Sequence, residues 1–388
     1  MTPPAPQGGS PPGLTERAVA WAGTMDGHRA PDAGHRYAHA DSRARIGPGG
    51  PLGREAREEL EDATLAPGAT RARGAGRRAR VEEPDPLRTC FERDRDRILH
   101  ATAFRRLAGK TQVFIFPEDH QRTRLTHALE VAQVAVGIAR PCRLNVTLVE
   151  AIALGHDCGH GPFGHASEDA LAPYVPGGFD HATWGADVTL ASLNLCAETL
   201  DGIRNHSWSR PAPSTPEGEV VSWADRIAYV CHDFEDAVVA GIVTPDMLPP
   251  VVAQRCGTRR STQLGAFIAG VVDTTLRTGE VGMSEPMAEA LAAFRAFNYT
   301  HIYLRPASLS QNRVVERILQ ALVEFYADRP NTLPEGRGGS GLRAGSDEAR
   351  RAAVTYVSGM TDRFACLQAL AHLGWDRGEL PAGLDLAS

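Results

Sequence analysis

The stretch EAIALGHDCGHGPFGHASE, residues 150–168, decides how this chain folds. Leu148, Ile152 and His156 recur every four residues, the spacing that puts side chains on one face of an α-helix starting near Asn145. The glycine-rich loop Gly159–Gly164 ends that helix. Adjacent residues on a helix point about 100° apart. His156 and Asp157 therefore reach one ion best where the backbone leaves helical geometry, and Gly159 supplies that ending.

Two more helices flank this one. Between Thr123 and Arg140, His127, Val131, Val134 and Ile138 fall at i, i+4, i+7 and i+11 and share a face. Thr215-Pro216, a cap residue followed by proline at the first helical position, opens a helix that runs toward Val239 and stops before Gly241. On it Val221, Asp225, Tyr229 and Asp233 recur every four residues. Alone, His127 reads as a hydrogen-bonded core histidine, and Asp225 as a partner for Arg226. A carboxylate on such a stripe is costly to bury unless it is paired or binds a metal. Together, His127, His156, Asp157 and Asp225 form a two-histidine, two-carboxylate shell. That donor set suits one divalent ion (Mn, Mg, Fe, Co or Ni) with a position open to water.

Further residues carry candidate chemistry. His165 and Glu168 are three apart at a helix start, so the carboxylate can orient the imidazole for general acid–base work. Glu168 serves equally well as a first-turn carboxylate favoured by the helix dipole. His160, in the loop, can meet a phosphate oxygen. Tyr229 can pack on a sugar and Asp233 can accept from a sugar hydroxyl; the plainer reading makes Tyr229 core and Asp233 part of an acidic patch with Glu235 and Asp236. The 88–124 region is dense in arginine, which matches phosphate geometry. Arg124, three residues before His127, is the one expected to face the site.

Bulk properties narrow the setting. A chain of 388 residues holds one large domain or two ordinary ones, and 42% hydrophobic with 23% charged residues is a globular composition. The formal charge of −6 gives no global reason for strong nucleic-acid binding. Seven cysteines, an odd number without a CxxC pair, argue against a disulfide framework and fit a reducing cytoplasm. No long apolar run or N-terminal h-region is present, so neither a membrane span nor secretion is expected. Residues 1–84, with recurring Pro and Gly pairs, read as a mostly disordered low-complexity extension with short helices near 15–23 and 53–63. Residues 85–388 read as the folded domain, its metal-binding core at about 120–240 and a C-terminal helical part at about 260–375. Helical patterns continue at 261–277, 285–297, 308–327 and 346–374, and only Thr111–Phe116 alternates like a strand. The expected class is all-α.

The strings AFRRLAGKTQVF (103–114), RTRLTHALEVA (122–132), EAIALGHDCGHGPFGHASE (150–168), LNLCAETLDGIRNHS (193–207), ADRIAYVCHDFEDA (224–237) and VSGMTDRFA (357–365) resemble bacterial deoxyguanosinetriphosphate triphosphohydrolase-like proteins of the HD-domain superfamily. The resemblance spans roughly 65–375 and implies an HD helical bundle with additional C-terminal helices. It implies hydrolysis of a dNTP to deoxynucleoside and inorganic triphosphate. Carried over, His127, His156, Asp157 and Asp225 hold the metal, and His165 with Glu168 assists at the α-phosphorus or the departing 5′ oxygen. Gln112 and Asp233 match positions that hold the 3′-hydroxyl, Tyr229 the residue on the sugar, and Arg124, His160 and His181 positions near the phosphates. A homo-oligomer, with a nucleotide or single-stranded DNA effector, is implied as well.

The chain departs from the family pattern after Gly178-Phe179-Asp180-His181. Ala182-Thr183-Trp184-Gly185-Ala186-Asp187 stands where His-Asn-x-Gln-x-x-Arg usually continues. Two other readings stay open. One is a different HD phosphohydrolase, a nucleotidase or phosphodiesterase. The other is a catalytically weak regulator that binds nucleotide or DNA.

Overall fold

The computed structural model describes residues 15–23, 27–29, 34–116, 121–334 and 341–383. Among them the helices run α1 (Glu16–Gly23), α2 (Arg54–Thr64), α3 (Cys90–His100), α4 (Thr102–Arg106), α5 (Arg124–Ala139) and α6 (Val146–Gly155). Next come α7 (Ala166–Leu171), α8 (His181–Trp184), α9 (Ala197–Asn205), α10 (Pro216–Val239) and α11 (Pro250–Cys256). The last are α12 (Arg260–Thr278), α13 (Glu285–Asn298), α14 (Pro306–Asp328), α15 (Asp347–Ser358) and α16 (Asp362–His372). The all-α class holds: the strands, β1 (His28–Arg29) and β2 (Arg36–Tyr37), form one short antiparallel hairpin.

Local chemistry sets the helix starts that frame the site. Asn145 caps α6 by accepting from the Leu148 amide at 3.2 Å, and Thr215 caps α10 by accepting from Gly218 at 3.1 Å with Pro216 at the first position. His156 is the C-cap residue of α6, so His156 and Asp157 do leave the helix at its end. In α5, His127, Val131, Val134 and Ile138 are all buried. α5 packs between α6 and α10, and α3 backs α6. A second buried cluster joins α7 to α14, α15 and α16.

The chain divides into two compact units, Met1–Pro51 and Leu52–Ser388. The first holds α1 and the hairpin; residues 1–14, part of the segment expected to be disordered, lie outside the described residues. The second begins well before the expected boundary at 84/85. Residues 52–84 are held by buried polar contacts: Thr70 donates to Glu217 from its amide (3.0 Å) and hydroxyl (2.7 Å), and Arg78 pairs with Asp94 at 2.6 Å. Composition concealed these ties because they are few, specific and distant in sequence.

Two expectations are corrected. Thr111–Phe116 is not a strand. It makes a single bridge, Thr111 to Thr123, because the Thr111 amide and hydroxyl go to Asp362 instead, at 2.8 and 2.6 Å. The 346–374 pattern is two helices rather than one. The carbonyls of Ser358 and Gly359 accept from Lys110 Nζ and Arg106 Nη1, both at 3.0 Å, and Thr361 caps the restart. No helix among the described residues is long and apolar enough to cross a membrane.

Candidate metal centre

α5, α6 and α10 each deliver part of one polar cluster into an otherwise apolar core. His127 Nε2 lies 3.0 Å from Asp225 Oδ1. His156 Nε2 lies 3.4 Å from Asp157 Oδ1 and 3.7 Å from Asp225 Oδ1. His127, His156 and Asp157 are buried, while the Asp225 side chain keeps 23% exposure and so lines the open side.

The protonation pattern fits a cation. His156 Nδ1 is 2.7 Å from the Ala153 carbonyl, which can only accept, so Nδ1 carries the proton and Nε2 bears a lone pair. That lone pair has no hydrogen-bond partner and faces two carboxylate oxygens. Three electron-rich atoms converging in a buried site repel one another unless a cation lies between them. Burial opposes ionisation of Asp225, yet the hydrogen bond with His127 holds its carboxyl below the usual range, and Asp157 is likewise held well below by Arg124 against its burial. Both are carboxylates at neutral pH. The site can hold a metal ion.

Behind the ligands, His160 Nε2 lies 3.2 Å from Asp157 Oδ1. Burial, then Arg124 and His181, push the His160 pKa well below its ordinary value, so neutral His160 donates to Asp157. Arg124 Nη1 donates to Asp157 Oδ2 at 2.7 Å. Its Nε and Nη2 are buried without a partner, and Gly164 gives it room, since an added Cβ there would lie 2.7 Å from Nη2.

Beside this cluster, one carboxylate orients two imidazoles. Glu168 Oε2 lies 2.9 Å from His165 Nδ1, and Oε1 accepts from the His181 amide at 3.0 Å and faces His181 Nδ1 at 2.7 Å. The His165 side chain is 74% exposed, so its Nε2 edge is available to a bound molecule. His181 is buried, stacks on His160 at 3.7 Å, and reaches His206 Nε2 at 3.2 Å.

Of the other expected residues, Tyr229 and Asp233 lie on α10, where α13 and the turn after it pack. Tyr229 OH accepts from Arg295 Nε at 2.9 Å. Asp233 accepts from the Tyr303 hydroxyl at 2.5 Å, and burial pushes its carboxyl up to about 7. Gln112 has a buried, unpartnered Oε1. Most other arginines of the 88–124 segment are engaged elsewhere: Arg88 with Asp85 and Asp96, Arg93 and Arg97 with Glu82, Arg122 with Glu130, Glu235 and Asp236.

Several residues at the site were not singled out from sequence. His206 packs its ring against His156 at 4.9 Å, and its only signal was its place in the 193–207 string. Arg226 does not pair with Asp225; its guanidinium carbon lies over the Trp208 ring, 3.6 Å from the centroid. Arg295 and Tyr303 arrive from beyond residue 290 with no local signature. The unusual 182–187 segment is used structurally. Trp184 donates to Ser358 Oγ at 3.1 Å, Asp187 pairs with Arg204, and Gly185 lies so close to Gly159 that neither admits a side chain easily.

Comparison with known proteins agrees with this architecture. The family model for the HD domain matches residues 124–230, and the phosphohydrolase-associated domain matches 281–369. Fold and site thus define a metal-dependent phosphohydrolase of the HD class. A deoxyguanosinetriphosphate triphosphohydrolase-like protein of Caldanaerobacter subterraneus subsp. tengcongensis is 42% identical over 323 residues, 81% of this chain and 94% of its own length. Like-named proteins of Desulfatibacillum aliphaticivorans (38%; 80% and 95%) and Ralstonia pickettii (35%; 78% and 92%) also match. A solved structure, a hypothetical protein from Aquifex aeolicus, aligns at 19% identity and a TM-score of 0.44 over 74% of this chain and 69% of its own. The chain belongs to the deoxyguanosinetriphosphate triphosphohydrolase-like family.

Proposed function

We propose that this protein hydrolyses a deoxynucleoside triphosphate, dGTP or another dNTP, to deoxynucleoside and inorganic triphosphate. One observation carries the reading. Successive turns of α10 present Asp225 at the metal cluster, Arg226 and Tyr229 beside it, and Asp233 beyond, an order that matches the phosphate-to-sugar layout of a nucleotide. The names of the relatives support the same substrate class.

His127, His156, Asp157 and Asp225 would hold one divalent ion, of Mn, Mg, Fe, Co or Ni type, which supplies Lewis-acid chemistry at the scissile phosphoester. Water adds at the α-phosphorus, the bond to the 5′ oxygen breaks, and His165 passes a proton to that oxygen. Glu168 fixes the His165 tautomer with Nδ1 protonated, leaving Nε2 to carry the moving proton. Arg124, His160 and His181 stand on the phosphate side. Arg226 and Arg295 add charge there. Gln112 and Asp233 would meet the 3′-hydroxyl, and Tyr229 would pack on the sugar.

Chromatography of products from a dNTP panel with Mn²⁺ or Mg²⁺ tests the reading. Deoxynucleoside with triphosphate supports it. Monophosphate or stepwise phosphate release points instead to a nucleotidase or phosphodiesterase. Nucleotide binding without product points to a regulator.

A further inference from the structure

Arg226 is a half-buried cation next to the metal cluster, and no hydrogen bond or ion pair of its guanidinium is seen among the described residues. A long side chain in that situation should be mobile, and ordering it on binding costs conformational entropy. Here it is already ordered. The guanidinium carbon lies 3.6 Å from the centroid of the Trp208 ring, in face contact. Trp208 is itself fixed twice. Its Nε1 donates to the Ser222 carbonyl at 3.0 Å, one turn before Arg226 on α10, and its ring meets Trp223 edge-on at 4.8 Å.

Face stacking has a chemical consequence. It uses the π surface of the guanidinium and leaves the two Nη groups, rather than the buried Nε, as the edge that matches a phosphate oxygen pair. A carboxylate partner would occupy that edge; an indole does not. Arg295, bonded to Tyr229 within the same wall, brings a second cation close enough to act on Arg226, and Asp225 of the metal cluster acts on Arg226 without a hydrogen bond to it.

We propose that Trp208 is a positioning residue that holds the Arg226 guanidinium edge-on to the polyphosphate tail of the substrate. This rests on reading the site as one for a nucleoside polyphosphate. Trp208 lies two residues after His206, whose ring packs on His156, so a single turn buttresses both a metal-facing imidazole and the phosphate-facing cation.

The test uses the full chain loaded with Mn²⁺ and the variants W208L, W208F, R226Q and W208L/R226Q. Trp208 is 47% exposed, so W208L opens no buried cavity and should melt close to wild type. W208L should raise KM for dGTP and Kd for inorganic tripolyphosphate by about tenfold, with kcat within about twofold; W208F, which keeps a π face, should recover most of that. In the R226Q background W208L should add nothing, because Trp208 acts through Arg226. Equal effects of W208L and W208F, or full additivity with R226Q, overturn the proposal. Tripolyphosphate binding by calorimetry separates the two readings. If the wild type releases no deoxynucleoside but W208L still weakens tripolyphosphate, the positioning role stands and the reaction does not. If the wild type fails to bind tripolyphosphate, the positioning role falls whatever the reaction proves to be.

Discussion

The HD segment, 124–230, and the associated segment, 281–369, contribute to the site in different ways. The first supplies His127, His156, Asp157 and Asp225 from three helices that pack directly on one another. The second supplies no candidate ligand. It sends Arg295 and Tyr303 to Tyr229 and Asp233 on α10, and Ser358 and Asp362 to the loop that carries His160. Asp362 accepts from the Phe163 amide at 2.7 Å as well as from Thr111, and Lys110 bridges the carbonyls of His160 and Ser358. The loop is thereby clamped with Phe163 at a positive φ of 64°. The difference is one of division of labour: the candidate ligands come from neighbouring helices, while the groups that meet Tyr229, Asp233, Thr111 and Phe163 come from 66 to about 250 residues away.

The largest expected effect attacks the local half. Asp225→Ala should remove bound metal, measured by elemental analysis, and with it all turnover; full metal and activity in that variant would show the ligand set to be wrong. Next, His165→Ala should keep the metal and lower kcat by about 10²–10⁴-fold, the usual contribution of a positioned acid or base. Loss of metal there would merge the two functions that the geometry separates.

The distant half gives intermediate effects. Asp362→Ala strands the Thr111 and Phe163 amides in the interior, which should cost roughly 2–4 kcal/mol in urea unfolding. Metal content should be unchanged while kcat falls. A variant that instead loses metal with normal kcat per bound ion would erase the contrast between the segments.

The smallest effect is a pH dependence. Burial raises Asp233 from 3.8 to about 7, so the folded chain holds one more proton than the unfolded chain across that window. Stability of the metal-free protein should therefore fall as pH rises from about 4 to 7, by an order of a few kcal/mol at most. Asp233→Asn should flatten that slope in urea midpoints taken with a chelator present. An unchanged slope would mean that Tyr303 already holds the carboxylate charged.

Much of the candidate metal cluster is legible from the residues alone. Helical periodicity states which side chains share a face, and an apolar face interrupted by His or Asp is conspicuous at His127, His156 and Asp225. Asp157 needed only the helix ending at Gly159. The carboxylate behind His165 was also visible, because Glu168 is one helical turn away; its second partner, His181, was not. The extent of the second compact unit is less legible for a related reason. Pro, Gly and Ala around 48–84 look featureless, and only Thr70 on Glu217 and Arg78 on Asp94 show that the segment is held.

The sequence by itself determined an all-α fold and singled out His127, His156, Asp157 and Asp225 as candidate ligands, since both readings depend on spacings of three and four along a helix. Tertiary structure alone decided that His206 backs His156, that Arg226 lies on Trp208 rather than on Asp225, and that Arg295, Tyr303 and Asp362 reach the site. Those contacts join residues from different helices, across separations of 18 to about 250 positions. No periodicity encodes them, because their geometry is fixed only once the helices have packed.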